Sequence, residues 1–156
     1  MTRSLLIAAL VTLGVACGPS QAPVRSLDPN APVVIPYKVE GGGEIRFTVQ
    51  PRYFVGEPIT FDLDVTAGSL GIRGPLAGRV LQSDLATGEQ TIRRLAAADV
   101  GGIDVAQGQR EHTTVTWDGK DDSGRAVKKD TYSVSLDFII GTKTMTLGTV
   151  ISVRER

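Results

Sequence analysis

The chain reads Thr113-Thr-Val-Thr-Trp-Asp-Gly-Lys-Asp-Asp-Ser-Gly-Arg-Ala-Val-Lys-Lys-Asp-Thr-Tyr-Ser-Val-Ser-Leu-Asp-Phe138 through its most informative stretch. Apolar and polar residues alternate in 113–117 and again in 131–138, and strand side chains alternate between the two faces of a sheet. Between the runs, Asp118-Gly119 and Ser123-Gly124 are turn dipeptides, because Gly adopts positive φ at no steric cost. The stretch therefore predicts a β-hairpin with one buried and one wet face.

The turn and the second run also carry a family resemblance. They are similar to the signature of the FlgD-like immunoglobulin-like domain, a β-sandwich module of the flagellar hook-capping protein and of many secreted bacterial proteins, at Trp117, Asp118, Gly119, Asp121, Gly124, Val127 and Tyr132. The bacillar intracellular proteinase inhibitor domain ends in a similar hairpin. The resemblance implies a structural role in turn and core for these residues. The family has Gly where this chain has Asp130, and Asp tolerates the left-handed conformation, so we expect the turn to persist.

The rest of the C-terminal region predicts further short strands. Alternation in 44–50 and 59–66 is clean, and weaker strands are predicted at 79–85, 90–95 and 144–153. We interpret Gly68 to Gly78 as a loop or bulged connection, and 96–102 as one helical turn that crosses between sheets. Six to eight strands predict an all-β, antiparallel immunoglobulin-like sandwich over residues 37–156, with Trp117 at the centre of its core.

The N-terminus has the order of an export signal. Arg3 precedes an apolar run that ends in small residues and is too short to span a bilayer as a helix. Leu13-Gly14-Val15-Ala16-Cys17 resembles a bacterial lipobox, which implies cleavage of 1–16 and acylation of Cys17. An ordinary signal peptide with an incidental Cys is the alternative. Because Cys17 is the chain's only cysteine and has no disulfide partner, acylation is the better interpretation.

A proline-rich tether follows the modified cysteine. Five prolines fall between Gly18 and Pro36, and repeated proline favours an extended chain of ~3.1 Å per residue. The sequence thus predicts a tether over 17–36 that reaches ~50–60 Å from the membrane. Gly18 stands where inner-membrane retention typically uses Asp, so the resemblance to lipoproteins favours the outer membrane, on its periplasmic or its surface face, if the organism has one.

Composition excludes several classes of function. The chain has 17 basic and 17 acidic residues, and removal of Arg3 with the signal leaves a net charge of −1 without a basic cluster, which argues against nucleic acid as a partner. With His112 alone and Cys17 acylated, neither a Cys/His zinc site nor a cysteine nucleophile can form. No Gly-x-Ser-x-Gly elbow occurs, so we predict no enzyme, and no small-molecule substrate is evident.

Two acidic groups admit a metal as a second interpretation. Asp118, Asp121 and Asp122 have the oxygen ligands that Ca²⁺ uses, but their spacing lacks the pattern of a helix-loop-helix calcium site, and we favour a turn without a cofactor. Asp62 and Asp64 point outward from a predicted strand. Paired carboxylates serve acid-base chemistry or metal binding, whereas a solvated face that resists aggregation is the favoured interpretation.

These features together predict a lipid-anchored module of the cell envelope. Acyl chains hold it on the membrane, and the sandwich docks on another envelope protein as an accessory or assembly subunit. The alternative is an inhibitor of envelope or extracellular proteases that presents a loop such as Gly68 to Gly78 to the protease cleft.

Overall fold

Two β-sheets packed face to face form the part of the chain that the computed structural model describes, residues 28, 30–84 and 88–156. This confirms the predicted all-β sandwich. Cys17, the signal predicted at 1–16 and the tether up to residue 27 lie outside the described residues. Within those residues, no helix is long and apolar enough to cross a membrane.

The described residues form ten strands where the sequence predicted six to eight. They are β1 Val33–Val39, β2 Gly43–Val49, β3 Tyr53–Phe54, β4 Ile59–Thr66, β5 Ile72–Asp84, β6 Gly88–Leu95, β7 Ile103–Val105, β8 Arg110–Trp117, β9 Asp130–Ile140 and β10 Lys143–Arg154. A 3₁₀ turn, Glu40–Gly42, joins β1 to β2, and a short helix, α1 Ala97–Val100, lies between β6 and β7.

The strands are divided between a four-stranded sheet and a six-stranded sheet. The first has the order β1-β2-β4-β8, and the second has the order β3-β10-β9-β5-β6 with β7 paired to part of β5. Pairs among the described strands are antiparallel except β3 with β10, which is parallel. Helix α1 ends at Gly101 in the left-handed conformation and contacts strands of both sheets, which confirms the helical turn expected in 96–102. The expected crossing between sheets is wrong, because β6 and β7 on either side of α1 both belong to the six-stranded sheet.

The core forms where the inward faces of the two sheets meet. Alternation places Ile45, Phe47 and Val49 of β2 and Ile59, Phe61, Leu63 and Val65 of β4 inside, as the sequence predicted. The rings of Phe47 and Phe61 stack at 6.2 Å within one sheet. Trp117 is 1 % exposed and meets Tyr132 of the opposite sheet edge to face at 5.8 Å. Two aromatic pairs therefore fill the core without a disulfide.

The predicted hairpin of 113–138 is wrong in its pairing, although its facing pattern is right. β8 pairs with β4 in the four-stranded sheet, whereas β9 pairs with β5 and β10 in the six-stranded sheet. The two runs meet through inward side chains rather than backbone hydrogen bonds. A smaller hairpin lies inside the connection, where the Val127 amide donates to the Gly119 carbonyl and Lys120 bridges to Ala126. Period-two alternation reports which face is buried and carries no information about the partner strand.

Three other expectations need correction. β1 begins at Val33, so 33–36 belong to the four-stranded sheet and not to the tether. Most of Gly68 to Gly78 is strand β5, hydrogen-bonded on both sides with a register irregularity between Arg73 and Ala77, and is not a free loop. Asp130 does not adopt the left-handed conformation considered for it, and it begins β9 instead.

One buried polar group gives a stability prediction. Thr149 of β10 is 5 % exposed, lies opposite Val134, and its Oγ1 makes no hydrogen bond within the described structure. An unsatisfied buried hydroxyl costs free energy that an isosteric apolar group does not. We expect Thr149→Val to raise the free energy of unfolding by about 1 kcal/mol in urea titrations followed by circular dichroism. A lower free energy of unfolding for Thr149→Val would contradict this, and Thr144→Val, at an exposed outward position of the same strand, is the matched control.

Candidate functional site

The connection between β8 and β9, residues 118–129, contains most of the residues singled out by the sequence. Trp117 lies at its base, and Nε1 of the indole donates to the Lys120 carbonyl at 2.8 Å. The Lys120 amide donates to Oδ1 of Asp118 at 3.1 Å. Gly119 has φ +70°, and a Cβ there would lie 2.7 Å from the Glu57 carbonyl oxygen. These contacts fix the start of the connection against the core.

Asp121 organises the tip of this connection. Its Oδ1 accepts from the Ser123 amide at 2.9 Å and the Arg125 amide at 3.0 Å, and its Oδ2 accepts from Nε of Arg125 at 3.2 Å. The hydrogen bond from the Arg125 backbone, with those from Ser123, outweighs the effect of burial and lowers the pKa of Asp121. Gly124 completes the turn at φ +77°. Asp121 is therefore a charged cap for its own turn.

Asp122 attaches the connection to strand β6. Its amide donates to the Ile92 carbonyl at 2.9 Å, and its Oδ1 accepts from the Arg94 amide at 3.2 Å. The guanidinium of Arg93 lies 3.8 Å from Asp118 and 4.0 Å from Asp122. Since β6 is the last strand of the six-stranded sheet, this attachment covers part of an otherwise open edge.

Tyr132 closes the connection from the β9 side. Its hydroxyl donates to the Lys128 carbonyl at 2.8 Å while its ring packs on Trp117. Burial raises the pKa of this phenol, and the charge of Asp130 acts in the same direction. The structure thus brings Trp117, Gly119 and Tyr132 together at one end of the core.

The three carboxylates of this connection hold backbone and arginine groups. Each accepts from a different partner: Lys120 for Asp118, Ser123 and Arg125 for Asp121, and Arg94 for Asp122. No group of three or more His, Cys, Asp or Glu side chains is placed to hold a metal ion in the described ranges. A groove of about 480 Å³ separates the connection from β6, and its lining includes Gln82, Gln90 and Arg125.

Sheet edges, the usual sites for adding a strand, are obstructed. β1 carries Pro36, which lacks an amide donor. α1 packs against β8, where the Thr113 hydroxyl donates to the Gly101 carbonyl. β6 is partly covered by Asp122, and β3 has only two residues. Edge-to-edge pairing with another chain is therefore disfavoured, and the outer faces remain as the candidate surfaces.

On the outer face of the four-stranded sheet, termed the four-stranded face, acidic and basic side chains form ion pairs with one another. Glu44 binds Lys38 and Arg46, Asp64 binds Arg110, and His112 lies near both aspartates of β4. The Thr114 hydroxyl donates to Asp62 at 3.0 Å. The hydrogen bond from Lys38, with that from Arg46, outweighs burial and lowers the pKa of Glu44. Asp62 and Asp64 thus lie on a solvated face, one of the two interpretations given by the sequence.

Asp64 gives a pH prediction. Burial raises its pKa, but hydrogen bonds from Arg110 and His112 outweigh burial and leave it below the ordinary value. A depressed carboxyl pKa stabilises the fold above the unfolded pKa, and this stabilisation is lost as pH falls through the folded pKa. We expect Asp64→Asn to cost at most about 1 kcal/mol at pH 7, because the site is partly exposed. This cost should shrink below about pH 4 in urea titrations. Equal costs at pH 7 and pH 2.5 would contradict the prediction.

The outer face of the six-stranded sheet, termed the six-stranded face, has a different composition. Short side chains and a glycine occupy its middle, including Ser133 and Ser135 of β9 and Gly148 of β10. Val150 beside them is 60 % exposed. Arg79 and Arg94 lie exposed on the neighbouring strands, and neither makes an ion pair within the described residues. This face therefore has short side chains in its middle, is partly apolar and carries arginines without ion pairs.

Sequence reasoning did not find the six-stranded face. Val150, Ser135, Arg79 and Arg94 come from four different strands, and they become neighbours only through the registers of β10-β9, β9-β5 and β5-β6. The one available signal was weak, namely the small outward residues of 131–137. Cys17, the other predicted site, lies outside the described residues.

Comparison with known proteins leaves the function to be inferred from these residues. No protein-family model matches the chain, and no curated protein is significantly similar to it.

Proposed function

We propose that this protein is a lipid-anchored binding or assembly module of the bacterial cell envelope. In this proposal, acyl groups on Cys17 hold the chain in the membrane, with the outer membrane favoured, and the sandwich docks on another envelope protein through the six-stranded face. The observation that carries the proposal is the difference between the two outer faces. The four-stranded face pairs most of its charges, and its exposed Val34 (54 %) lies on the edge strand β1. The six-stranded face has Val150 (60 %) on β10 and two arginines that make no ion pair within the described residues.

The six-stranded face has the composition of a docking surface. Protein interfaces combine an apolar, closely packed centre with Arg, and short side chains let a partner's backbone approach closely. Ser133, Ser135 and Gly148 form such a low surface, with Val150 as an apolar contact. The four-stranded face is a poor alternative, because a partner would have to desolvate ion pairs that are already satisfied.

The tether sets the working distance of this module. The Ala31 amide donates to the Asp28 carbonyl at 3.0 Å in a turn just before β1, so we expect the tether to end before this turn. About ten residues after Cys17, extended as their proline content favours, would span ~30 Å. Two or more acyl chains anchor a protein firmly, at ~0.8 kcal/mol per buried methylene. The partner is therefore an envelope protein whose exposed part lies within this distance of the membrane.

The protease-inhibitor hypothesis gains no support from its proposed loop. An inhibitory loop must fit a protease cleft as an exposed, extended segment, whereas most of Gly68 to Gly78 is strand β5 inside a sheet. Failure of the chain to inhibit a broad protease panel would remove this alternative altogether.

Site-specific photo-crosslinking in intact envelopes tests the proposal. We expect a photoreactive residue at Val150 to crosslink to one envelope protein and a matched one at exposed Thr60, on the four-stranded face, to give none. Mass spectrometry of the N-terminal peptide should show acylated Cys17, and Cys17→Ser should reduce crosslinking because the chain leaves the membrane. Absence of protein crosslinks from both faces, or an unmodified Cys17, would refute the proposal.

A further inference from the structure

Arg79 and Arg94 form an unusual pair on the six-stranded face. They are directly opposite each other in the register of β5 and β6. Their neighbours Val80 and Leu95 are buried at 0 % and 3 % exposure, so alternation directs both guanidinium groups outward, where both side chains are exposed. Cβ atoms of directly opposed residues lie only about 5 Å apart. Two positive charges therefore share one small area of the surface.

This pair is unfavourable in the isolated protein. Like charges directly opposite across two strands destabilise a sheet. No carboxylate of the described chain lies within 4.0 Å of either guanidinium, whereas Arg46 and Arg110 of the four-stranded face each have one. Asp137, an acidic residue of the same face, accepts from the Thr146 hydroxyl at 2.6 Å and makes no ion pair. Asp122 accepts from the backbone amide of Arg94 at 3.2 Å, but neither guanidinium forms an ion pair within the described residues.

The surroundings leave the pair accessible to a partner. The register places Gly148, Ser135, Arg79 and Arg94 side by side across four strands. The first two have no bulk beyond a hydroxyl, so a flat surface can approach both guanidinium groups. The next row holds Val150, Ser133, Leu81 and Thr91, which adds apolar area beside the charges.

We propose that the six-stranded face binds an acidic protein surface, in which Asp or Glu carboxylates bind Arg79 and Arg94. This rests on the proposed function and specifies its partner by chemistry. Arg presents a planar fork of donors that binds a carboxylate through two parallel hydrogen bonds. The adjoining row with Val150 favours a protein over a lipid headgroup, because a protein can cover charge and apolar area together. Docking neutralises the like-charge pair, so complex formation removes a repulsion that the free chain carries.

Charge reversal measures the contribution of the pair. We expect Arg79→Glu/Arg94→Glu to reduce the yield of the Val150 crosslink at least about tenfold, because charge reversal removes both Arg–carboxylate contacts and places like charges against each other. Lys128→Glu/Lys129→Glu makes the same change in net charge at an exposed connection and is the matched control, with the yield expected to stay unchanged. Circular dichroism melts of each variant show that the fold is intact.

A zero-length crosslinker identifies the opposing group. Arg79→Lys/Arg94→Lys keeps both charges and introduces amines that a carbodiimide couples to carboxylates in direct contact. We expect amide links from these positions to Asp or Glu of the same protein that the Val150 probe captures, and none from the control positions Lys128 and Lys129.

The outcomes separate this inference from the proposed function. Val150 crosslinks that persist after charge reversal would contradict the proposal of an acidic partner surface. They would still support the proposed function as a binding module. Binding to phosphatidylglycerol vesicles that depends on both arginines, without protein amide links, would assign the pair to lipid phosphate and overturn the protein partner. Absence of protein crosslinks from both faces would overturn the proposed function itself.

Discussion

Replacement of Trp117 by alanine is expected to lower the free energy of unfolding by about 3–5 kcal/mol. Trp117 is 1 % exposed and packs across the sheets on Tyr132 with ring centroids 5.8 Å apart. Its loss leaves a cavity that β-sheets cannot collapse to fill, because backbone hydrogen bonds fix the strands. It also leaves the Lys120 carbonyl without the indole donor. A domain of this size has a stability of only 5–15 kcal/mol, so the variant should be close to unfolding.

Urea denaturation followed by far-ultraviolet circular dichroism measures this effect, because Trp117 is the only tryptophan and fluorescence is lost with it. Trp117→Phe is the matched control, which keeps an aromatic ring and loses the indole donor. We expect it to cost less than Trp117→Ala. A double-mutant cycle with Tyr132→Ala should give a coupling energy of about 0.5–1.5 kcal/mol for the edge-to-face pair. A cost below 1 kcal/mol for Trp117→Ala would show that Trp117 is not the centre of the core.

Replacement of Gly68 by alanine is expected to cost about 3 kcal/mol or more. A Cβ at this position would overlap the carbonyl oxygen of Gly41 and lie 2.7 Å from the backbone of Gly42 and Gly43. These neighbours are backbone atoms of the turn between β1 and β2, which cannot rotate away as a side chain can. The same turn accepts the Ser69 amide at 2.7 Å, so displacing it also lengthens a hydrogen bond. The expected result is a loss of β1 pairing together with a lower midpoint of unfolding.

Gly71→Ala, three residues along the same segment, is the control for this prediction. A Cβ there would lie 3.4 Å from the Val105 carbonyl oxygen, an ordinary contact distance, and we expect a change of at most about 1 kcal/mol in either direction. Urea titrations give the free energies, and hydrogen exchange of the β1 amides reports the local effect. Equal stabilities of the Gly68→Ala and Gly71→Ala variants would mean that the close approach of the two backbones is unimportant.

Interior faces were predictable from the sequence, and the partners of strands distant in the sequence were not. Alternation correctly predicted the buried residues Ile45, Phe47, Phe61, Trp117 and Tyr132. Every second residue of a strand faces the core, so this pattern can be recognised within a few residues. The partner of β8 is β4, fifty residues earlier, and no local pattern encodes that pairing. The first half of β5, residues 72–78, was also missed, since its glycines resemble a loop while its hydrogen bonds come from β7 and β9. The second half was predicted as the strand at 79–85.

Within the candidate site, local features were also predictable from the sequence, whereas contacts between distant strands were not. The turn chemistry of Asp118-Gly119 and Ser123-Gly124 follows from the residues themselves, and both glycines adopt positive φ. The attachment of Asp122 to β6 and the pairing of Arg79 with Arg94 depend on register between strands that are distant in sequence.

The sequence by itself determined the all-β class, the identity of the buried face on most strands and the turns that join them, because each depends on residues within a few positions of one another. It also carries the prediction of a lipid anchor at Cys17. Only the tertiary structure decided which strands share a sheet, how the carboxylates of 118–122 are used and which outer face keeps unpaired charge. Those features arise from contacts between segments far apart in the chain, whose geometry is set by sheet register and by packing of the two sheets.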